Sequence, residues 1–312
     1  MTLDRRLQSL RTLKPATLSA AAAASLACLA ASGVAQTAWA DPPVTCGQRY
    51  TGAGQLVEDC VGDITIANGS LNLRGYTLQG SVICEGQQCD VFSDSAQGTI
   101  QGERFHETTG IRGSQTSRIT LRSVVVTGFG TGVAGGDVVA ADSVIAGNSA
   151  RGIEAQRSVA LSDTNVTLNG GDGVHARIGT VHIERSEVTS NGGIGVRALK
   201  GVTIRESVVA GNAGDGVQNF AGQAMITSSV VASNGGHGVR TDDSDCTPTG
   251  RLELRDSAVE ANGHAAECGE TRACADVVTC ELIQLSATSR CDTSYRMQSG
   301  LPGESWRICA LD

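Results

Sequence analysis

Lysine is almost missing from this chain: beyond residue 40 only Lys200 remains. The formal net charge is -8, and removing residues 1–40, which carry a net +3, leaves -11. A balance this acidic disfavours nucleic acid and anionic membranes as partners. Beyond residue 40 there is also no apolar stretch long enough to span a bilayer. Aromatic residues make up 3% of the sequence, leaving few flat rings for a ligand to stack on. Cysteine numbers 11 in all, yet none falls between Cys89 and Cys246. No C-x-x-C occurs and His264 is the only histidine near the C-terminal cysteines, so a zinc site is disfavoured.

The bare middle instead holds one phrase of about twenty-one residues, spoken five times between Val138 and Thr241. Its most regular part is N-x-x-x-G-[VI], with the Asn at Asn148, Asn169, Asn191, Asn212 and Asn234, at intervals of 21, 22, 21 and 22. Before each Asn comes an apolar alternating pair: Val138/Ala140, Val159/Leu161, Val181/Ile183, Val202/Ile204 and Ala224/Ile226. A small hydroxyl follows (Ser143, Thr164, Ser186, Ser207, Ser229), then a β-branched residue (Ile145, Val166, Val188, Val209, Val231). Period-2 spacing of β-branched residues predicts strands, three short ones per repeat. Segments this short bury nothing alone, so each repeat must stack on the next.

A leucine-rich repeat has a similar length, but here a hydroxyl stands in every repeat where its second Leu belongs, and no helical period is present. The phrase resembles instead the right-handed parallel β-helix repeat family of the pectin-lyase-like type. The pattern I-x-x-N-x-I-x-x-N-x-x-x-G-I is matched with Ser or Thr in its first Asn slot, over roughly residues 118–264. The expected fold class is therefore all-β, a right-handed parallel β-helix solenoid of 21–22 residues per coil. Ten or so coils at about 4.8 Å each make a rod near ~50 Å. The Asn amides are expected to face inward and bond one another where the backbone bends. The Gly supplies either a special backbone conformation or a close approach that a Cβ would obstruct.

Residues 1–40 read as a signal peptide, with Arg5, Arg6, Arg11 and Lys14 before a small apolar run and Ala38-Trp39-Ala40 before Asp41. Arg5-Arg6 permits twin-arginine export; a lipoprotein reading at Cys28 is opposed by Ser25, where an aliphatic residue belongs. Export to the periplasm, cell surface or medium follows. Four cysteines stand early (Cys46, Cys60, Cys84, Cys89) and six late (Cys246, Cys268, Cys274, Cys280, Cys291, Cys309). Even counts flanking a bare middle imply disulfide-stapled ends that cover the exposed strand edges. Cys46–Cys60 and Cys84–Cys89 are the expected early pairs, although spacing does not fix connectivity. The domain reading is residues 41–110 as N-terminal cap and first coils, 111–264 as regular coils and 265–312 as C-terminal cap. Within it, the polar run of 85–110 reads as a lateral loop, and about seven residues are inserted around 242–250.

In the strand after the Gly, the second position faces outward. That column reads Glu154, His175, Arg197, Gln218 and Arg240, with Arg151, Asp172, Asp215 and His237 in the adjoining turn. The resemblance implies that this strand floors a polysaccharide groove, where arginines pair with uronate carboxylates. In enzymes of that kind Arg197, Arg240 or His175 would be the catalytic candidates. Asp242, Asp243 and Asp245 offer oxygen ligands for Ca²⁺, and no other cofactor is implied. Other signatures fail: Gly236-His237-Gly238 and Asp242-Asp243 occur in the wrong order for polygalacturonase-type hydrolases, D-P-H-D is absent, and the G-G-x-G-x-D calcium repeat lacks its Asp. A mixed-charge solvated face explains the same column. The sequence accordingly favours a non-catalytic exported β-helix presenting a polar face to polysaccharide or a partner. A lyase or hydrolase of acidic polysaccharide and a purely structural wall component remain as alternatives, and the oligomeric state is open.

Overall fold

The computed structural model describes residues 41–102, 108–241, 251–263, 277–279, 282–286, 288–291 and 294–296. Their strands form two sheets, of nineteen and eleven strands, with every pairing parallel. No helix occurs among the described residues, so none is long and apolar enough to cross a membrane. One coil consists of Val174–Ala176, Thr180–Glu184 and Glu187–Thr189; the next repeats it as Val196–Ala198, Gly201–Arg205 and Val208–Ala210. The first two strands of a coil belong to the larger sheet and fuse in earlier coils, as in Thr131–Ala141 and Ile153–Ser162. The three-strand coil expected from the phrase is thus the unit of the fold.

Like residues lie over like. Val159, Val181, Val202 and Ala224 stack in register, as do Leu161, Ile183, Ile204 and Ile226, all at most 2% exposed. A fully buried aliphatic side chain contributes roughly 1.5–3 kcal/mol, and here every coil repeats the same set.

Two bends per coil turn the chain inward, each through one residue in the left-handed region. Asp142, Asp163, Arg185, Glu206, Ser228 and Asp256 take φ of 45–50° immediately before the hydroxyl residue. That hydroxyl then faces the core, which explains the Ser or Thr of the first slot. The Thr164 hydroxyl donates to the Ser162 carbonyl (2.8 Å) and accepts from the Ser143 N–H (3.4 Å); Ser186 and Ser229 repeat the geometry. At the second bend Gly147, Leu168, Ser190, Gly211 and Ser233 are left-handed, and the Asn follows. Each Asn Oδ1 accepts both the backbone N–H (3.1 Å) and the Nδ2 (2.9 Å) of the Asn one coil earlier, from Asn148 through Asn212. Asn262 extends the column past Asn234.

The Gly of the phrase is required by close approach. Gly152, Gly173, Gly195 and Gly216 have no left-handed φ, yet a Cβ on Gly195 would meet the Gly216 carbonyl at 2.6 Å and Asn212 Nδ2 at 2.7 Å.

One segment differs from expectation. Within the run 85–110, the described residues 85–102 are not a lateral loop: Gln88–Phe92 and Gly98–Gln101 are strands, paired in register with Arg118–Arg122 and Val124–Thr127, while 103–107 lie outside the described residues. The polar Gln88 and Asp90 are the outward half of a strand whose inward half, Cys89 and Val91, is wholly buried. Disulfides join Cys46 to Cys60 and Cys84 to Cys89. The late insertion separates Val239–Thr241 from Arg251–Arg255, after which the register resumes with Met225 beside Glu253. Asp242, Asp243, Asp245, Cys246, Cys268, Cys274, Cys280 and Cys309 lie outside the described residues, as do 1–40; Cys291 ends the short strand Arg290–Cys291.

Candidate functional site

The parallel register sets Glu154 beside His175, His175 beside Arg197, Arg197 beside Gln218 and Gln218 beside Arg240. Strand spacing places neighbours about 4.8 Å apart. Arg197 and Arg240 are half-buried, whereas Gln218 is 7% exposed and sinks into the face instead of standing on it.

The acidic groups of this stripe are occupied. Glu154 is held by Arg151 (3.0 Å) and Arg177 (3.4 Å). Asp172 lies 3.8 Å from Arg151 and accepts the Ile194 N–H at 2.9 Å, one coil on; Asp215 accepts the His237 N–H at 2.7 Å in the same way. The two turn aspartates therefore clamp successive coils together. Neither belongs to a free carboxylate pair of the sort glycoside hydrolysis uses.

His175 Nδ1 lies 4.0 Å from Asp172, too far for a hydrogen bond, and is buried without a partner. Burial, reinforced by Arg151 and Arg197, pushes its pKa below the ordinary imidazole value, so it is neutral at pH 7 and forms no ion pair with Asp172. Arg197 lies over the Phe220 ring, 5.2 Å from its centroid. Together with His175, Arg177 and Leu199 they line a shallow depression of about 230 Å³. Gln218 Oε1 is a buried acceptor with no hydrogen-bond partner on that same strand face. The arrangement offers a cation held flat on an aromatic ring beside a neutral imidazole. These suit a ligand with carboxylate and hydroxyl groups.

His237 stands in the turn before Arg240, while the three aspartates assigned to Ca²⁺ fall outside the described residues. A second depression, of about 370 Å³, lies on the second strand face around Asp90, Phe92, Arg118 and Arg122. Its sequence signal is the alternation Arg118-Ile119-Thr120-Leu121-Arg122, hidden because its partner strand reads as loop.

The family model for the right-handed beta helix region matches residues 134–282. No curated protein matches the chain. Among solved structures, the A-module of the mannuronan C-5 epimerase AlgE6 from Azotobacter vinelandii is similar over 77% of this chain and 80% of that one, with 15% identity and a TM-score of 0.45. The family match and the coil-by-coil register agree: residues 134–282 form a right-handed parallel β-helix region.

Proposed function

We propose that this is an exported β-helix protein that binds acidic polysaccharide along its first-strand face without catalysing a reaction on it. The observation that carries the reading is the depression in which Arg197, stacked on Phe220, stands beside the neutral His175. A uronate carboxylate would pair with the guanidinium, and a sugar hydroxyl would hydrogen-bond the His175 imidazole. Binding is favoured over turnover because Glu154 and Asp172 are already committed to Arg151, Arg177 and the next coil. Export is supported by the A-x-A site before Asp41 and by two disulfides, which form in oxidising compartments.

Affinity electrophoresis of the secreted protein in gels carrying polygalacturonate or alginate, with and without Ca²⁺, tests the proposal. Retardation that weakens in Arg197→Gln is the expected result; the calcium arm tests the Asp242, Asp243 and Asp245 expectation. Absorbance from unsaturated uronate ends, or epimerised product, would replace the binding reading with an enzymatic one. No retardation on any glycan would leave a structural wall component. N-terminal sequencing of the exported chain is expected to begin at Asp41.

A further inference from the structure

We infer that two copies of this chain pair face to face through the outer side of the eleven-stranded sheet, related by a two-fold axis parallel to the strands. From Gly98–Gln101 to Ala258–Glu260, eight successive strands of that sheet keep one parallel register without a bulge. Each turns two residues outward, so the face consists of two columns. Neither holds Lys or Arg, and Glu187 and Glu260 are their only charged residues.

The chemistry of the columns runs nearly the same from either end. In the first, Asn165 and Glu187 form an exposed polar middle, preceded by Val125 and Val144 and followed by Val208 and Val230. In the second, Thr167 and Thr189 form the middle, with hydroxyl oxygens 3.2 Å apart, between Ala146 and Ala210. Gln101 and Glu260 lie three coils beyond that middle on either side. A surface ordered in this way is complementary to itself. Rotation about an axis between the two middle strands sets each coil against its mirror coil in the other copy. Asn165 then donates its amide to Glu187 of the other copy, and Gln101 meets Glu260 likewise. Val144 closes on Val208 and Val125 on Val230, which removes half-buried aliphatic side chains from water. Each carboxylate of the face thus meets an amide, and each valine a valine. The contact covers about 35 Å by about 10 Å, small beside the ~800 Å² per partner of a standard interface, so the dimer is weak, with a Kd in the micromolar range. Both copies are acidic, and salt that screens their repulsion should tighten it. The face shares no residue with the first-strand stripe, and the inference does not rest on the ligand proposed there.

Sedimentation velocity of the purified exported protein over a range of concentrations tests it. A dimer that grows with concentration and with salt is expected. Val144→Lys and Val208→Glu should each weaken association about tenfold, by setting a charge against an aliphatic side chain. The two combined should restore it, because Lys then faces Glu across the interface, while within one chain the positions lie three strands, about 14 Å, apart. Gln101→Glu, exposed and set against Glu260 of the other copy, should weaken the dimer at an unchanged melting temperature, and it carries the test if a valine variant does not fold. Monomer alone up to about 0.5 mM overturns the inference. A dimer that none of these single variants weakens uses another face and overturns it too, as does one lost in Arg197→Gln. A combined variant no stronger than its single parents overturns the two-fold register.

Discussion

Asn191 makes the physical case for the ladder at the scale of one residue. Its Nδ2 donates to the Val166 carbonyl (3.1 Å) and to Asn212 Oδ1 (2.9 Å), while its Oδ1 accepts the Asn169 N–H and Nδ2. Asn191→Val nearly conserves volume, so no cavity explains its effect. It strands buried donors on Asn169 and the Val166 carbonyl, at about 1–3 kcal/mol for each orphaned group. A loss of ~3 kcal/mol or more in urea denaturation is expected, against almost none for the exposed Asn165→Val; equal midpoints would sink the inward ladder. His175 gives a pH signature. Its folded pKa lies below the 6.5 of the free side chain, so the unfolded chain binds the proton more readily. Stability from this group is complete above about pH 6.5 and declines as pH falls through the window beneath it. The melting temperature of His175→Gln should therefore drop less than that of the wild type between pH 7.5 and pH 5.

At the scale of the coil, a bend is a set of groups that only one arrangement satisfies. Gly195→Ala places a methyl 2.6 Å from the Gly216 carbonyl, 2.7 Å from Asn212 Nδ2 and 2.8 Å from Val209 Cγ1. Two of those atoms belong to the ladder and the backbone, which cannot rotate away. A cost of about 1–3 kcal/mol by thermal or urea melting is expected, as for overpacking of a dense core. The elements that repeat in this way are legible in the sequence: the apolar columns, the hydroxyl slot, the Asn and the Gly recur because every coil meets the same steric problem. The left-handed residues are not legible, since Asp163, Leu168, Arg185 and Glu206 share a conformation but no chemistry. The strand Gln88–Phe92 reads as loop because its polar half faces water and its buried half includes a cysteine. The candidate site is legible only as a column. Register could be counted, but the sinking of Gln218, the clamping by Asp172 and Asp215, and the pairing of Arg122 with Phe92 depend on directions that spacing does not encode.

At the scale of the whole solenoid, stability is close to a sum over coils and their interfaces, so scaffold and site can be separated by removing one coil. Deleting residues 191–211 joins Ser190 to Asn212. Ser190 (φ 57°) and Gly211 (φ 67°) occupy the same left-handed position, so the junction preserves the bend. Asn169 then meets Asn212 in place of Asn191, Ser186 meets Ser229, and the aliphatic columns close over Val181 and Ala224, each substituting a register neighbour for its next one. The shortened protein is expected to keep its β-sheet circular dichroism and melt cooperatively, at a lower midpoint by one coil and one interface. It loses Arg197 and Leu199, and with them the depression on the first strand face, while Phe92, Arg118 and Arg122 lie coils away and are untouched. Retardation by polygalacturonate should therefore be lost. Failure of the deletion to fold would show that the coils are not interchangeable neighbours; full wild-type binding would show that the stripe holds no ligand.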